Sequence, residues 1–418
     1  MRIYFSGIGG VGIGPLAMIA HDAGYAVYGS DQTDGLITQE LTRRHIPFQL
    51  DQSGDYLRAV HQQAPLDWFV YTASLPADHP ELQLAQQLGL RISKRDELLA
   101  QIIHDTQLKL IAVAGTHGKT TTTGMLVWAM KQLGVPVSYS VGSTLSFGPS
   151  GAFDHQSEYF VYECDEFDRN FLHFQPYLSL ITSVDYDHPD TYPTQADYRA
   201  AFRQFAGQSR QLIGWQDQQD IIDQANPRHR LLAAPHQGLT LPGVHNRANA
   251  SLVIAALQQI QPDSSADQLL HAMNQFPGTA RRFEKLADHL YSDYGHHPVE
   301  IAATLQLARE LSDHVVLVYQ PHQNIRQHEI RHQYTDCMTL AETVYWLPTY
   351  LTREDPHLPI LTPEQLSQHI VNHSAVQSAE LDDQLWQAIT AARRAGKLVL
   401  CMGAGTIDGW LRQRLAEA

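Results

Sequence analysis

The stretch from Val113 to Gly124, VAGTHGKTTTTG, constrains this chain more than any other, because it lies between a strand pattern and a helix pattern. LKLIAVAG before it reads as a continuous buried strand. In TTTGMLVWAMKQLG after it, Met125, Leu126, Ala129, Met130 and Leu133 follow helical spacing as far as Gly134. Strand, glycine-rich loop and helix in this order make a phosphate cradle. Backbone N–H groups at the helix start hold phosphate oxygens, a lysine reaches the terminal phosphates and a hydroxyl ligates magnesium. Val113 replaces the first glycine of the usual G-x-x-x-x-G-K-[ST] loop, whereas Gly115, Gly118, Lys119 and Thr120 are in place. Thr116, His117 and Thr121 complete the candidate nucleotide loop. The bland alternative is a glycine-rich turn without a ligand.

A magnesium-nucleotide site needs carboxylate or imidazole ligands from elsewhere, and two more apolar runs supply candidates. YFVY leads into Glu163, Asp165 and Glu166, and LSLITSV leads into Asp185, Asp187 and His188. Any one such acid is more often a solvated loop residue. Three strand ends converging on one chemistry weaken that alternative, since ligands of parallel sheets gather at the carboxyl ends of strands.

On either side of this centre the chain alternates short apolar runs with helical patterns. RIYFSG, PLAMIAHDAGY, AVYGSD, DWFVYTAS and DELLAQIIHD form one series, and HLYSDYGHHP, PVEIAATLQLAREL, HVVLVYQPHQ and KLVLCMGAGT form another. The expectation is an α/β protein of mostly parallel sheets in three domains, residues 1–105, 106–282 and 283–418. Residues 203–237 are Gln-rich and weakly patterned, and are placed at the surface. In the first series, GIGGVG offers Gly7, Gly9, Gly10 and Gly12, with Asp31 closing AVYGSD. Alone, that is a nicotinamide-dinucleotide fingerprint.

Composition removes several classes. A formal net charge of -15 argues against a nucleic-acid binder, which needs a basic face. No apolar run reaches the ~18 residues of a membrane span. The initial residues fit a signal peptide poorly, and three widely separated cysteines suit a reducing compartment, so a cytoplasmic protein is expected.

AGTHGKTTTT, ECDEFD, DYDHPDTY, HNRANA, PGTARRFE, SDYGHHPVEI and YQPHQNIR resemble, in order, the motifs of the Mur ligase family, with a weaker GAGTI at 403–407. The resemblance covers nearly the whole chain. It implies a Rossmann-like N-terminal domain for a UDP-sugar, a central P-loop ATPase domain and a Rossmann-like C-terminal domain that brings an amino acid. The implied reaction is that of an ATP-dependent acid–amino-acid ligase in peptidoglycan precursor synthesis: the carboxylate of UDP-N-acetylmuramate takes the γ-phosphate of ATP, and the amine of L-alanine displaces phosphate from the acyl phosphate.

By the same resemblance, Lys119 binds the β- and γ-phosphates, Thr120 and Glu163 hold one magnesium ion and His188 a second. His245, Asn246 and Asn249 lie on the adenine side, Arg282 reaches the γ-phosphate and Asp293 touches the ribose. Gly7, Gly9, Gly10, Gly12, Asp31 and Ser74 contact the UDP part, with Tyr294, His296, His297, His322 and Arg326 toward the substrates. Glu166 is either a metal ligand or a substrate contact.

The chain departs from the family pattern at Gln323, where alanine-specific members carry an arginine after QPH. Loss of one arm of a bidentate carboxylate clamp leaves the acceptor open among L-alanine, glycine, L-serine and a tripeptide. Cys164 and Phe167 stand where smaller residues are common. Other readings are a ligase that recycles a preformed tripeptide, a P-loop regulatory ATPase and a nicotinamide dehydrogenase.

Overall fold

Residues 1–10, 12–72, 75–188, 191–222, 226–352, 354–368 and 370–417 are described by the structure, a computed structural model. The chain forms two compact units: residues 1–234 with 252–276, and residues 235–251 with 277–418.

The first unit holds two sheets. One is fully parallel, in the order Phe48–Gln49, Ala26–Ser30, Arg2–Ser6, Trp68–Tyr71, Arg91–Ser93. Its outermost strand is followed by the helix Arg95–Asp105, beside the expected break in the chain. The other has seven strands, in the order His229–Leu232, Leu212–Trp215, Leu178–Ile181, Lys109–Ala114, Tyr159–Glu163, Val137–Ser140, Gly151–Ala152. All its neighbours run parallel except the last pair. Its centre is Lys109–Ala114, buried at every residue but the first. A strand covered on both faces needs such an unbroken apolar run.

The second unit is built on a six-stranded sheet, in the order Glu284–Ala287, Leu290–Asp293, Leu398–Met402, Val315–Tyr319, Thr343–Trp346, Val376–Ser378. Its first pair is antiparallel and the rest are parallel. Three mostly parallel sheets thus answer to the three alternating series, and the architecture is the expected three-domain α/β one. The helix Pro298–Leu311 spans PVEIAATLQLAREL from end to end, with His297 as its N-cap.

The Gln-rich stretch departs from expectation. Leu212–Trp215 is a strand of the seven-stranded sheet, with Leu212 and Ile213 fully buried, and His229–Leu232 extends the sheet beyond it. LIGW is only four residues long and is framed by glutamine and arginine, so it is too short to display a period. The three cysteines are free and buried. Among the described residues no helix is long and apolar enough to cross a membrane.

Candidate active site

Register puts the three candidate strand ends on one edge of the seven-stranded sheet. Val113 pairs with both Leu180 and Glu163, and Ala114 pairs with Ile181, so the phosphate loop, ECDEFD and SVDYDH all leave the sheet together. The loop turns at Gly115, with φ +134°, and at Gly118, with φ +84°, which caps the helix Lys119–Gln132. A Cβ at Gly115 would stand 2.2 Å from Thr182 Oγ1 and 2.9 Å from the Ser183 backbone nitrogen, so the neighbouring strand end leaves room for hydrogen alone. That neighbour also holds the loop. Thr116 N donates to Ser183 O at 3.0 Å, His117 N to Ser183 Oγ at 3.0 Å and Thr182 Oγ1 to His117 O at 2.5 Å.

Lys119 folds back over this loop, donating to Gly115 O at 2.7 Å and to Glu166 Oε2 at 2.7 Å. Burial alone would lower its pKa, but Glu166, Asp165 and Glu163 outweigh burial and hold it above the usual lysine range. Glu166 is fully buried, and burial pushes its carboxyl up to about 7 against the pull of Lys119. Tyr198 OH donates to Glu166 Oε1 at 3.4 Å, and Tyr192 OH to the Glu166 carbonyl at 2.6 Å.

The predicted metal residues fall in two groups. Thr120 Oγ1 donates to Glu163 Oε1 at 2.8 Å, and the other oxygen of Glu163 accepts from Gly142 N at 2.9 Å. His188, at φ +58°, brings Nε2 to 3.7 Å from Glu166 Oε1. Asp165, Glu166 and His188 each present a ligand atom, all within 4.8 Å of one another. Two carboxylates and an imidazole converging this closely, with a hydroxyl–carboxylate pair on the same sheet edge, suit a hard divalent cation. Asp165, one of the strand-end acids, joins this cluster although the family resemblance gives it no role. Tyr192 closes the DYDHPDTY motif without a role of its own, and Tyr198 lies outside every motif. Thr121 sits half-buried in the first turn of the helix.

In the five-stranded sheet, Gly7, with φ +81°, and Ile8 donate to Ser30 O, both at 2.9 Å, and Gly10 N donates to Gly7 O at 3.0 Å. Asp31 Oδ2 accepts from Gly9 N at 2.7 Å, and Oδ1 from Gln32 N at 2.8 Å. Both oxygens of this acid are therefore engaged by backbone. A Cβ at Gly12 would come within 3.0 Å of Arg95 Nη1. Sequence reasoning missed Glu81, which lies under this loop with no exposed surface. It accepts from Tyr4 OH at 2.7 Å, Ser6 Oγ at 2.6 Å and Ser30 Oγ at 2.7 Å. Ser74 lies outside the described residues.

The second unit gathers the remaining candidates. His245, Asn246 and Asn249 lie in the helix Val244–Ile260, where Asn246 Nδ2 donates to Pro242 O at 3.0 Å and Asn249 is buried. Burial lowers His245 to about 4. Asp293 accepts from Phe283 N and Gly295 N, each at 2.7 Å, and burial raises it to about 6 against the nearby Arg282. The guanidinium groups of Arg281 and Arg282 lie 4.7 and 5.1 Å from the centre of the Tyr294 ring. His297 caps its helix, taking Val299 N at 3.3 Å. Arg326 donates to Nε2 of His296, and the rings of His296 and His322 lie 5.3 Å apart. Burial, with Arg326 beside it, lowers His296 to about 4.

Comparison with known proteins matches residues 2–107 to "Mur ligase family, catalytic domain", residues 113–234 to "Mur ligase middle domain" and residues 281–405 to "Mur ligase, glutamate ligase domain". The UDP-N-acetylmuramate–L-alanine ligase of Paenarthrobacter aurescens is 31% identical over 455 residues, spanning 98% of this chain and 95% of that one. The same-named protein of a Nocardioides species is 32% identical over 438 residues, spanning 97% and 94%. Among solved structures, a UDP-N-acetylmuramate–alanine ligase from Thermotoga maritima superposes with TM-score 0.77 at 23% identity, covering 100% of this chain and 99% of that one. A murein peptide ligase from Psychrobacter arcticus superposes with TM-score 0.64 at 23% identity, covering 100% and 98%. At that level of identity the two structures speak for the fold.

Proposed function

This chain belongs to the Mur ligase family, and from that premise we propose that it joins UDP-N-acetylmuramate to L-alanine, converting ATP to ADP and phosphate. The observation that carries the reading is Lys119, poised on the loop carbonyl of Gly115 and paired with the buried Glu166 beside Asp165 and His188. A switch ATPase needs a phosphate loop but no sugar-nucleotide loop and no third domain. A dehydrogenase leaves the phosphate loop idle.

A carboxylate is a poor electrophile, so one of its oxygens first attacks the γ-phosphorus of ATP and ADP leaves. The L-alanine nitrogen then attacks the acyl carbon, the C–O bond to phosphate breaks and the amine gives up a proton. Lys119 and the backbone N–H groups at the helix start hold phosphate oxygens during the first step. Thr120 with Glu163, and His188 with Glu166 or Asp165, would hold two magnesium ions, whose charge offsets that of carboxylate and triphosphate. Gly7 to Gly12 and Asp31 bind the UDP part, His245, Asn246 and Asn249 the adenine side, and Arg282 and Asp293 the γ-phosphate and ribose. His322 and Arg326, with Tyr294, His296 and His297, receive the acceptor. The working domains are 1–105, 106–282 and 283–418, and ATP and nucleotide-sugar substrates assign the reaction to the cytoplasm.

The test is phosphate release from MgATP with UDP-N-acetylmuramate, adding L-alanine, glycine, L-serine and the tripeptide in turn. Release that requires both the sugar nucleotide and L-alanine is expected. Release with the tripeptide alone would move the enzyme to recycling, and release with neither partner would restore the switch.

A further inference from the structure

We propose that Glu354 is a positioning residue for the amino-acid end of this site, a role that rests on reading His322 and Arg326 as acceptor contacts. The segment that bears them turns at Gln323, whose φ of +61° lies in the left-handed region that a non-glycine residue disfavours. Such a conformation persists only where its surroundings impose it. Here the imposing group is a second segment laid across the first. Gln323 N donates to Tyr350 O at 2.9 Å, Tyr350 N donates to Pro321 O at 2.8 Å, and the His322 ring stacks on Tyr350 at 5.7 Å with 19° between planes. Farther on, Asn324 Nδ2 donates to Pro359 O at 3.0 Å and Leu361 N to Asn324 Oδ1 at 2.9 Å.

The Glu354 carboxylate ties these two segments together. Oε1 accepts from Asn324 N at 3.0 Å and from Thr352 N at 2.9 Å, and Oε2 accepts from Ile325 N at 3.2 Å. Asn324 and Ile325 open the short helix Asn324–Ile330, so a negative charge at that end also meets a favourable dipole. Hydrogen bonds from backbone N–H to a carboxylate are stronger than neutral ones. Glu354 therefore holds the left-handed turn that sets His322 on one side and Arg326 on the other. It also occupies the N–H groups of Asn324 and Ile325, which are then closed to an acceptor carboxylate. Recognition of that carboxylate falls to Arg326, since Gln323 carries no charge.

The test compares Glu354→Gln and Glu354→Ala with the wild type in the full chain. An amide keeps one acceptor oxygen and turns an NH2 group toward a backbone donor, so Glu354→Gln probes the clamp while removing little volume. The expected result is a KM for L-alanine raised about tenfold in Glu354→Gln and further in Glu354→Ala, with KM for ATP and for UDP-N-acetylmuramate within about twofold. Hydrogen exchange at the amides of Asn324, Ile325 and Thr352 is expected to quicken in Glu354→Gln. An unchanged KM for L-alanine, or all three constants rising together, would overturn the assignment. Should Glu354→Ala not fold, Glu354→Gln decides. A wild type indifferent to L-alanine would remove the acceptor reading, and the exchange rates would then decide the clamp by themselves.

Discussion

At Lys119, burial and charge pull in opposite directions, and the carboxylates win. The side chain is 13% exposed and its partner Glu166 is 1% exposed, so little water screens the pair. Replacing Lys119 by alanine removes the group proposed to reach the terminal phosphates and leaves Glu166 buried without its cation. Phosphate release is expected to fall by about a thousandfold or more. UDP-N-acetylmuramate binding should stay nearly intact, because the loop proposed for it lies in the other sheet. Titration calorimetry with the sugar nucleotide and a phosphate-release assay check the two halves, and normal turnover would end the assignment. Glu81 poses the complementary case, a buried carboxylate that among the described residues meets three hydroxyl donors and no cation. Glu81→Ala orphans those hydroxyls and should destabilise the protein by about 2–4 kcal/mol in urea unfolding. Ser6 precedes Gly7 and Ser30 precedes Asp31, so sugar-nucleotide binding should weaken as well. A loss below about 0.5 kcal/mol would mean that water replaces the carboxylate without penalty.

Among the elements, the phosphate loop is the one whose sequence tolerates least. Gly115→Ala meets both a disfavoured φ of +134° and a Cβ placed 2.2 Å from Thr182 Oγ1. Strain and overlap together should remove about 2–4 kcal/mol of stability and disrupt nucleotide binding. Thermal unfolding with and without MgATP would show this, and a variant still stabilised by nucleotide to the wild-type degree would contradict it. Glycine, lysine and threonine in this loop were legible from sequence because the turn and the phosphate demand those residues locally. The strand end at Glu163 was legible for the same reason, since an apolar run that stops at an acid marks a sheet edge. Leu212–Trp215 was not, because a four-residue strand carries no period and becomes a strand only through pairing with Leu178–Ile181. Glu81 and Tyr198 were also silent. Each matters through contacts across tens of residues, and a lone Glu or Tyr announces none of them. The cluster of Asp165, Glu166 and His188 fell between these cases: the residue types could be read, but that Asp165 and Glu166 turn toward His188 required the fold.

On the scale of the whole molecule, acid sensitivity follows from groups buried in the second unit. His245 and His296 are both lowered from 6.5 to about 4, chiefly by burial. Around His296, Glu300 favours the proton, and Arg326 and His322 oppose it. A base whose folded pKa is depressed binds fewer protons folded than unfolded between those two values, so stability rises with pH through that window and is lost on acidification from about 6.5 toward 4. Asp293 works the other way. Raised by burial from 3.8 to about 6, it contributes stability below the unfolded value that is lost as pH rises through 6. The wild-type slope is therefore a difference, and single substitutions separate its parts. Between pH 7 and pH 5 each histidine should remove about 1–2 kcal/mol, and Asp293 should return about 1 kcal/mol. His296→Asn, which cannot titrate, should lose correspondingly less stability over that interval than the wild type in urea unfolding, and Asp293→Asn should lose more. Parallel profiles for the wild type and His296→Asn would mean that this imidazole takes up its proton in the folded chain as readily as in the unfolded one. It would then face water rather than lie buried against Arg326, and the acceptor pocket drawn from that pairing would have to be redrawn.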